Sequence, residues 1–200
     1  MKINEIELYH VHIPLKHTFW PTWIPGYPQT HNRFTLIRLG TDDGIEGWSA
    51  GIAMGEERQG LGDLLGGYII GADPMDIDRM QSLLKQAGFL GWLNYWIEPA
   101  CWDIIGKAKG KPVYELLGGE ARPIEAYCSF GELHEPAQRV EEILALKERG
   151  FRTFKLRVKA REFRDDVRLI EEVRKGVGDG PVLGVDANQG WLVSIVDRIP

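Results

Sequence analysis

Apolar and polar positions alternate along INEIELYHVHI (3–13), the period of a strand with one face on a core. The alternation returns in RFTLIRLG and again in GIEGWSAG. Thr41-Asp42-Asp43-Gly44 between them supplies a hairpin turn, so the pattern predicts three strands of one small antiparallel sheet. Between the first two runs lies PLKHTFWPTWIPGYPQTHN, which holds four of the eleven prolines and the aromatics Phe19, Trp20 and Trp23. It reads as a long loop stiffened by its prolines. From about residue 56 the spacing becomes helical, in LGDLLGGYIIGADP and in MDIDRMQSLLKQAG, with Asp73-Pro74 opening the second helix. GWLNYW (91–96) reads as core against which helices pack. Ala100, Asp103, Ile104 and Lys107 then share the helical period, and Gly110 and Pro112 stop that helix. Leu116-Leu117-Gly118-Gly119 closes an α+β unit at about residue 120.

After Pro123 the rhythm changes. IEAYCSFG, FRTFKLRV and PVLGVDANQG read as strands, separated by the amphipathic helices EPAQRVEEILALKERG and REFRDDVRLIEEVRKGVG, each ended by glycine. Strand and helix alternating at a repeat of roughly 30 residues marks βαβ units and a parallel sheet. A closed eight-unit barrel takes about 250 residues. Residues 121–200 hold only three strands, so the expectation is the first part of a barrel, with an open sheet edge.

Composition narrows the class. With 44% hydrophobic and 26% charged residues the chain belongs with folded globular proteins and not with disordered ones. A net charge of -5 argues against nucleic acid or an anionic membrane as partner, since both require a basic face. No apolar run approaches the ~20 residues that span a bilayer, and MKINEIELYHVHIPL is not a secretory signal. The two cysteines, Cys101 and Cys128, lack metal spacing and read as reduced thiols of a cytoplasmic protein.

Two places carry candidate chemistry. Lys155 and Arg157 are two apart on a strand and so share a face, while Phe154, Leu156 and Val158 share the other. Two cations on a buried strand face are costly unless anions meet them, and a substrate carboxylate or acidic metal ligands would do so. An exposed strand with a basic outer face is the alternative. Asp186 and Asn188 end the third strand, where parallel α/β folds bind ligands. An oxygen there suits a hard cation such as Mg²⁺, although Asp-Ala-Asn-Gln-Gly is also good turn chemistry. His10, His12, His17 and His31 read as surface or hydrogen-bonded histidines. Gly176-Val177-Gly178-Asp179-Gly180 precedes a strand instead of following one, and Gly106-Lys107-Ala108-Lys109-Gly110-Lys111-Pro112 lacks the spacing and hydroxyl of a phosphate loop.

The combination of EPACWDIIGKAKGKPVYELLGG, GFRTFKLRV and VLGVDANQGW, in that order, resembles the mandelate racemase and muconate lactonizing enzyme branch of the enolase superfamily over essentially the whole chain. The resemblance implies an α+β capping domain (1–120) followed by the start of a modified TIM-type α/β barrel (121–200), broken off after its third strand. It implies Mg²⁺ as cofactor, with Asp186 as the first of its carboxylate ligands. Lys155 would contact the carboxylate of a small-molecule substrate, position 157 would be an acid or base, and Asn188 would line the pocket. The loops PLKHTFWPTWIPGYPQ, with Trp20, Trp23 and Tyr27, and WSAGIAMGEE would close over the site and select the substrate. Homo-oligomers are implied as well. The implied reaction is removal of a proton α to a carboxylate to give an enediolate, whose charge Mg²⁺ and the nearby cations neutralise.

This chain departs from the resemblance at position 157, where Arg replaces Lys. Arginine stays protonated and is a poor base. Arg157 is therefore expected to act as an electrostatic clamp, with the proton taken by Lys155 or by a His on a later strand. That favours an acid-sugar dehydratase over a racemase, epimerase or cycloisomerase. The remaining metal ligands are expected beyond Pro200, which makes the 200-residue chain inactive by itself. A non-catalytic binding or assembly protein is the reading from another class.

Overall fold

The computed structural model describes residues 1–52, 61–90, 94–159, 163–188 and 190. The early alternation folds as β1 (Ile3–Phe19), β2 (Gln29–Thr41) and β3 (Glu46–Ile52), a sheet in the order β1-β2-β3. β2 and β3 pair antiparallel, from Phe34 opposite Ile52 to Gly40 opposite Glu46. The stretch expected as one long loop is instead strand at both ends, and only residues 20–28 connect β1 to β2. Pro14 lies inside β1, an edge strand, the place in a sheet where proline is tolerated.

The helical spacing gives α1 (Leu61–Ile69), α2 (Ile77–Gln86), α3 (Ile97–Lys109) and α4 (Val113–Leu116). α2 starts later than Asp73-Pro74. Asp76 is its N-cap and accepts the Arg79 N–H at 3.0 Å, while Asp73 accepts the Met75 N–H at 2.9 Å in the turn before it. Ile3, Ile37, Leu39, Met80, Ile97 and Ile104 belong to one buried core between sheet and helices. A Cβ at Gly47 would lie 2.0 Å from the Ala100 carbonyl oxygen, so only glycine lets α3 lie directly on β3. Residues 53–57 of the expected WSAGIAMGEE loop and 91–93 of GWLNYW lie outside the described residues. Asn94–Trp96 is a short 3-10 turn, and Trp96 packs on the core.

The second half folds as β4 (Tyr127–Ser129), α5 (Pro136–Glu148), β5 (Thr153–Arg157), α6 (Phe163–Val177) and β6 (Val182–Asp186). The strands form a parallel sheet in the order β4-β5-β6, with Lys155 opposite both Ser129 and Gly184 and Arg157 opposite Asp186. Phe154, Leu156 and Val158 are buried. The first two join Ile143 of α5 and Val173 and Val177 of α6 in a second core. An antiparallel sheet with helices is thus followed by parallel β/α units.

Contacts divide the chain into two compact units, Met1–Pro14 with His31–Arg122, and Leu15–Thr30 with Pro123–Pro200. The β1–β2 connection therefore belongs with the β/α units. Among the described residues no helix is long and apolar enough to cross a membrane. Cys101 and Cys128 are free thiols, and burial, helped by the charge of Glu98, pushes the Cys101 thiol up to about 12.

Candidate active site

β5 is the central strand of its sheet, and its pleat sends Lys155 and Arg157 away from the face that packs on α5 and α6. β6 ends on Asp186, the residue opposite Arg157, so its terminal carboxylate arrives beside both cations. Lys155 Nζ donates to Asp186 Oδ2 at 2.9 Å. Arg157 NH1 lies 3.0 Å from Asp186 Oδ1. Arg157 is 6% exposed, yet its NH1 is aligned for no hydrogen bond; Nε donates to the Phe130 carbonyl at 3.4 Å. The NH1–Asp186 contact is thus an ion pair by distance with hydrogen-bonding capacity left unspent at a buried donor, a costly arrangement for the protein alone.

Asp186 Oδ1 also accepts the Asn188 N–H at 2.9 Å. This closes an Asx turn in which Asn188 takes a left-handed φ of 45°, a conformation asparagine adopts more readily than most residues. The turn chemistry and the acidic strand tip, which the sequence left as alternatives, are therefore one device. The Asn188 amide, the Lys155 ammonium and the Arg157 guanidinium hold the Asp186 carboxyl below its ordinary range, so it is anionic at neutral pH.

Of the three expected aromatics, Trp23 is the one set over a cation: its ring centroid lies 5.0 Å from the Arg157 guanidinium carbon. Trp20 and Tyr27 are 55% and 58% exposed. Their rings are not brought to the cation pair. Tyr127 of β4, which the sequence did not single out, has its ring 5.6 Å from Lys155 Nζ. The sequence also gave no sign of Gly131 and Glu132 after β4. The Thr22 N–H donates to the Gly131 carbonyl at 3.3 Å, and the Trp20 N–H to Glu132 Oε1 at 2.6 Å.

Residues 6–118 match the model of the mandelate racemase / muconate lactonizing enzyme N-terminal domain, and residues 138–197 match the enolase C-terminal domain-like model. The chain belongs to the mandelate racemase / muconate lactonizing enzyme family of the enolase superfamily. An N-succinyl-L-Arg/Lys racemase of Bacillus cereus is 31% identical, over 96% of this chain and 53% of the racemase. A D-galactonate dehydratase of Pectobacterium atrosepticum is 34% identical, over 77% of this chain and 44% of the dehydratase. Among solved structures, a dipeptide epimerase of Enterococcus faecalis, complexed with Mg and L-Leu-L-Tyr, superposes with a TM-score of 0.83 at 25% identity, over 96% of this chain and 55% of the epimerase. The chain spans about half the length of the curated relatives it matches.

The dipeptide epimerase structure holds magnesium. Asp186 suits one position of such a shell: it is an anionic carboxylate, three-quarters buried, at the end of a strand. Among the described residues no group of three or more His, Cys, Asp or Glu gathers to complete it.

Proposed function

We propose that this family member serves an enzyme that removes a proton α to a carboxylate, with Mg²⁺ as cofactor and a small carboxylate as substrate. In this reading residues 1–120 are its cap and 121–200 begin its barrel. Asp186 would give Mg²⁺ one oxygen, further oxygens coming from outside the described residues, and the ion would supply positive charge to the substrate carboxylate. The observation that carries the reading is the meeting of Lys155 and Arg157 on one carboxylate, at 2.9 and 3.0 Å, with a buried NH1 donor unspent. A substrate carboxylate beside that pair would share the positive charge of Lys155 and Arg157, which lowers the cost of the enediolate.

The two cations divide the work by their chemistry. Arg157 stays protonated and acts as a clamp. Lys155 is the member of the pair able to lose a proton, so it is the base these strands offer, unless a later strand brings a histidine. One base on one face suits dehydration of a sugar acid, and the galactonate dehydratase resemblance supports that class. The racemase resemblance, which extends over more of the chain, supports racemization or epimerization as the second reading. The free thiols of Cys101 and Cys128 suit a reducing, cytoplasmic setting.

The test is α-proton exchange in D₂O, with D-galactonate and N-succinyl-L-arginine, in the full-length protein with Mg²⁺. Arg157→Met is expected to lower exchange by about 10²–10³-fold, the scale of losing one aimed cationic donor, and Arg157→Lys to restore part of it. Full exchange in Arg157→Met removes Arg157 from the mechanism. The 200 residues alone are expected to give no exchange, and one Mg²⁺-dependent turnover by them would refute that.

A further inference from the structure

The Trp23 ring over Arg157 is not held by its own neighbours in sequence. Residues 20–28 carry three prolines, Pro21, Pro25 and Pro28, and therefore few backbone donors. Two of the donors that remain, the N–H groups of Trp20 and Thr22, go to Glu132 Oε1 at 2.6 Å and to the Gly131 carbonyl at 3.3 Å. The first is charge-assisted and short, which makes it the stronger of the two. Phe19 fills the space beside Gly131, where a Cβ would lie 2.6 Å from its Cζ and 3.4 Å from the Trp23 ring. Phe19 and Trp23 in turn lie against each other with centroids 5.7 Å apart.

Glu132 is itself braced. Its backbone carbonyl accepts from Arg139 NH2 at 2.8 Å. Arg139 is 4% exposed, lies 3.9 Å over the Phe130 ring and pairs with Glu142. On its other side His134 holds Glu142 Oε1 at 2.7 Å and approaches Glu132 Oε2 at 3.9 Å. These contacts with Arg139 of α5 hold the Glu132 backbone, and its carboxylate reaches out to the Trp20 amide.

We infer that Glu132 is a positioning residue: through the Trp20 N–H it holds the 20–24 segment so that the Trp23 indole covers one side of the Arg157 guanidinium and fixes the clamp that an incoming carboxylate would meet. This deepens the proposed role of Arg157 as a clamp and rests on that reading for its last clause alone. Glu132 touches no reacting atom. It sets the clearance above the cation pair, and with it the shape of carboxylate that fits.

The experiment uses the 200-residue protein labelled with 5-fluorotryptophan, the Trp23 fluorine resonance being assigned through Trp23→Phe. Glu132→Ala is expected to move that resonance toward the position of free fluorotryptophan. Glu132→Gln, which keeps an acceptor oxygen and loses the charge, is expected to leave it in place. Trp20→Pro removes the donor from the other end of the same bond and is expected to reproduce the Glu132→Ala shift, which covers the case in which Glu132→Ala does not fold. A Trp23 resonance unmoved by Glu132→Ala or by Trp20→Pro, or moved as far by Glu132→Gln, overturns the proposal. Oxalate titration, followed on the same resonance, then separates the two readings. Where the wild-type chain binds oxalate, Glu132→Ala is expected to weaken it about fivefold, the scale of one cation–π contact, with no further loss on adding Trp23→Ala. Where wild type binds none, the clamp role of Arg157 fails while the fluorine shifts still decide the role of Glu132.

Discussion

Asp186 is the residue on which the electrostatics of the β5–β6 tips turn. Its carboxylate answers Lys155, Arg157 and the Asn188 amide at once. Replacing it by asparagine keeps the shape and removes the charge, which strands the buried Arg157 guanidinium without a counter-ion. A loss of ~1–3 kcal/mol in urea denaturation at pH 7 is expected, below the full cost of breaking a buried pair because the carboxylate keeps contact with water. The sign with pH follows from the lowered carboxyl. The folded pKa lies below the unfolded value of about 3.9, so the contribution is complete above that value and is lost as pH falls through the folded pKa. The stability gap between wild type and Asp186→Asn is therefore expected to narrow below about pH 4, and a constant gap at lower pH would contradict the assignment. Lys155, Arg157 and Asp186 were legible in the sequence because strand alternation and a strand end are local signals. Glu132 was not, because its partner lies 112 residues away and GELHEP reads only as a polar loop.

Elements are placed by signals of differing reach. The helix ends at Gly110, Gly150 and Gly178 were readable, since each follows a periodic run and takes positive φ. The start of α2 was read three residues early, because Asp73-Pro74 and Asp76 are both good first-turn chemistry and the choice rests on which carboxylate finds the free amide. The ends of β1 and β2 were read as loop, because proline argues against strand until the strand is known to be an edge. The packing of α3 on β3 was not readable at all, as it depends on what a side chain would meet at Gly47. Gly47→Ala would set a methyl 2.0 Å from the Ala100 oxygen, a backbone atom that can yield only if the helix moves. A loss of at least ~2 kcal/mol in thermal or urea unfolding is expected. Gly67→Ala on α1, where a Cβ meets nothing within 4 Å, is expected to gain ~0.5–1 kcal/mol instead. Equal effects of the two would show that α3 does not lie on β3 as closely as described.

At the scale of the whole molecule, the change of rhythm after Pro123 made legible the passage from an antiparallel sheet with helices to parallel β/α units. It did not show that Leu15–Thr30 contact the later unit, since nothing local encodes a contact across more than a hundred residues. The same scale sets how the chain behaves in solution. In the sheet β4-β5-β6 the central strand is buried, whereas Tyr127 on one outer strand and Val182 and Val185 on the other are 53%, 59% and 38% exposed. Apolar side chains on outer strands with unpaired backbone groups are a template for pairing with another copy. A net charge of -5 opposes that pairing only over a Debye length of about 10 Å at 0.1 M salt, and less as salt is added. The 200-residue chain is therefore expected to self-associate with rising concentration, more strongly at high salt, as read by sedimentation velocity. Val182→Lys places a charge on the outer strand and is expected to shift the distribution toward monomer. A wild-type chain that stays monomeric at high concentration and high salt would mean that the outer strands of this sheet are already protected.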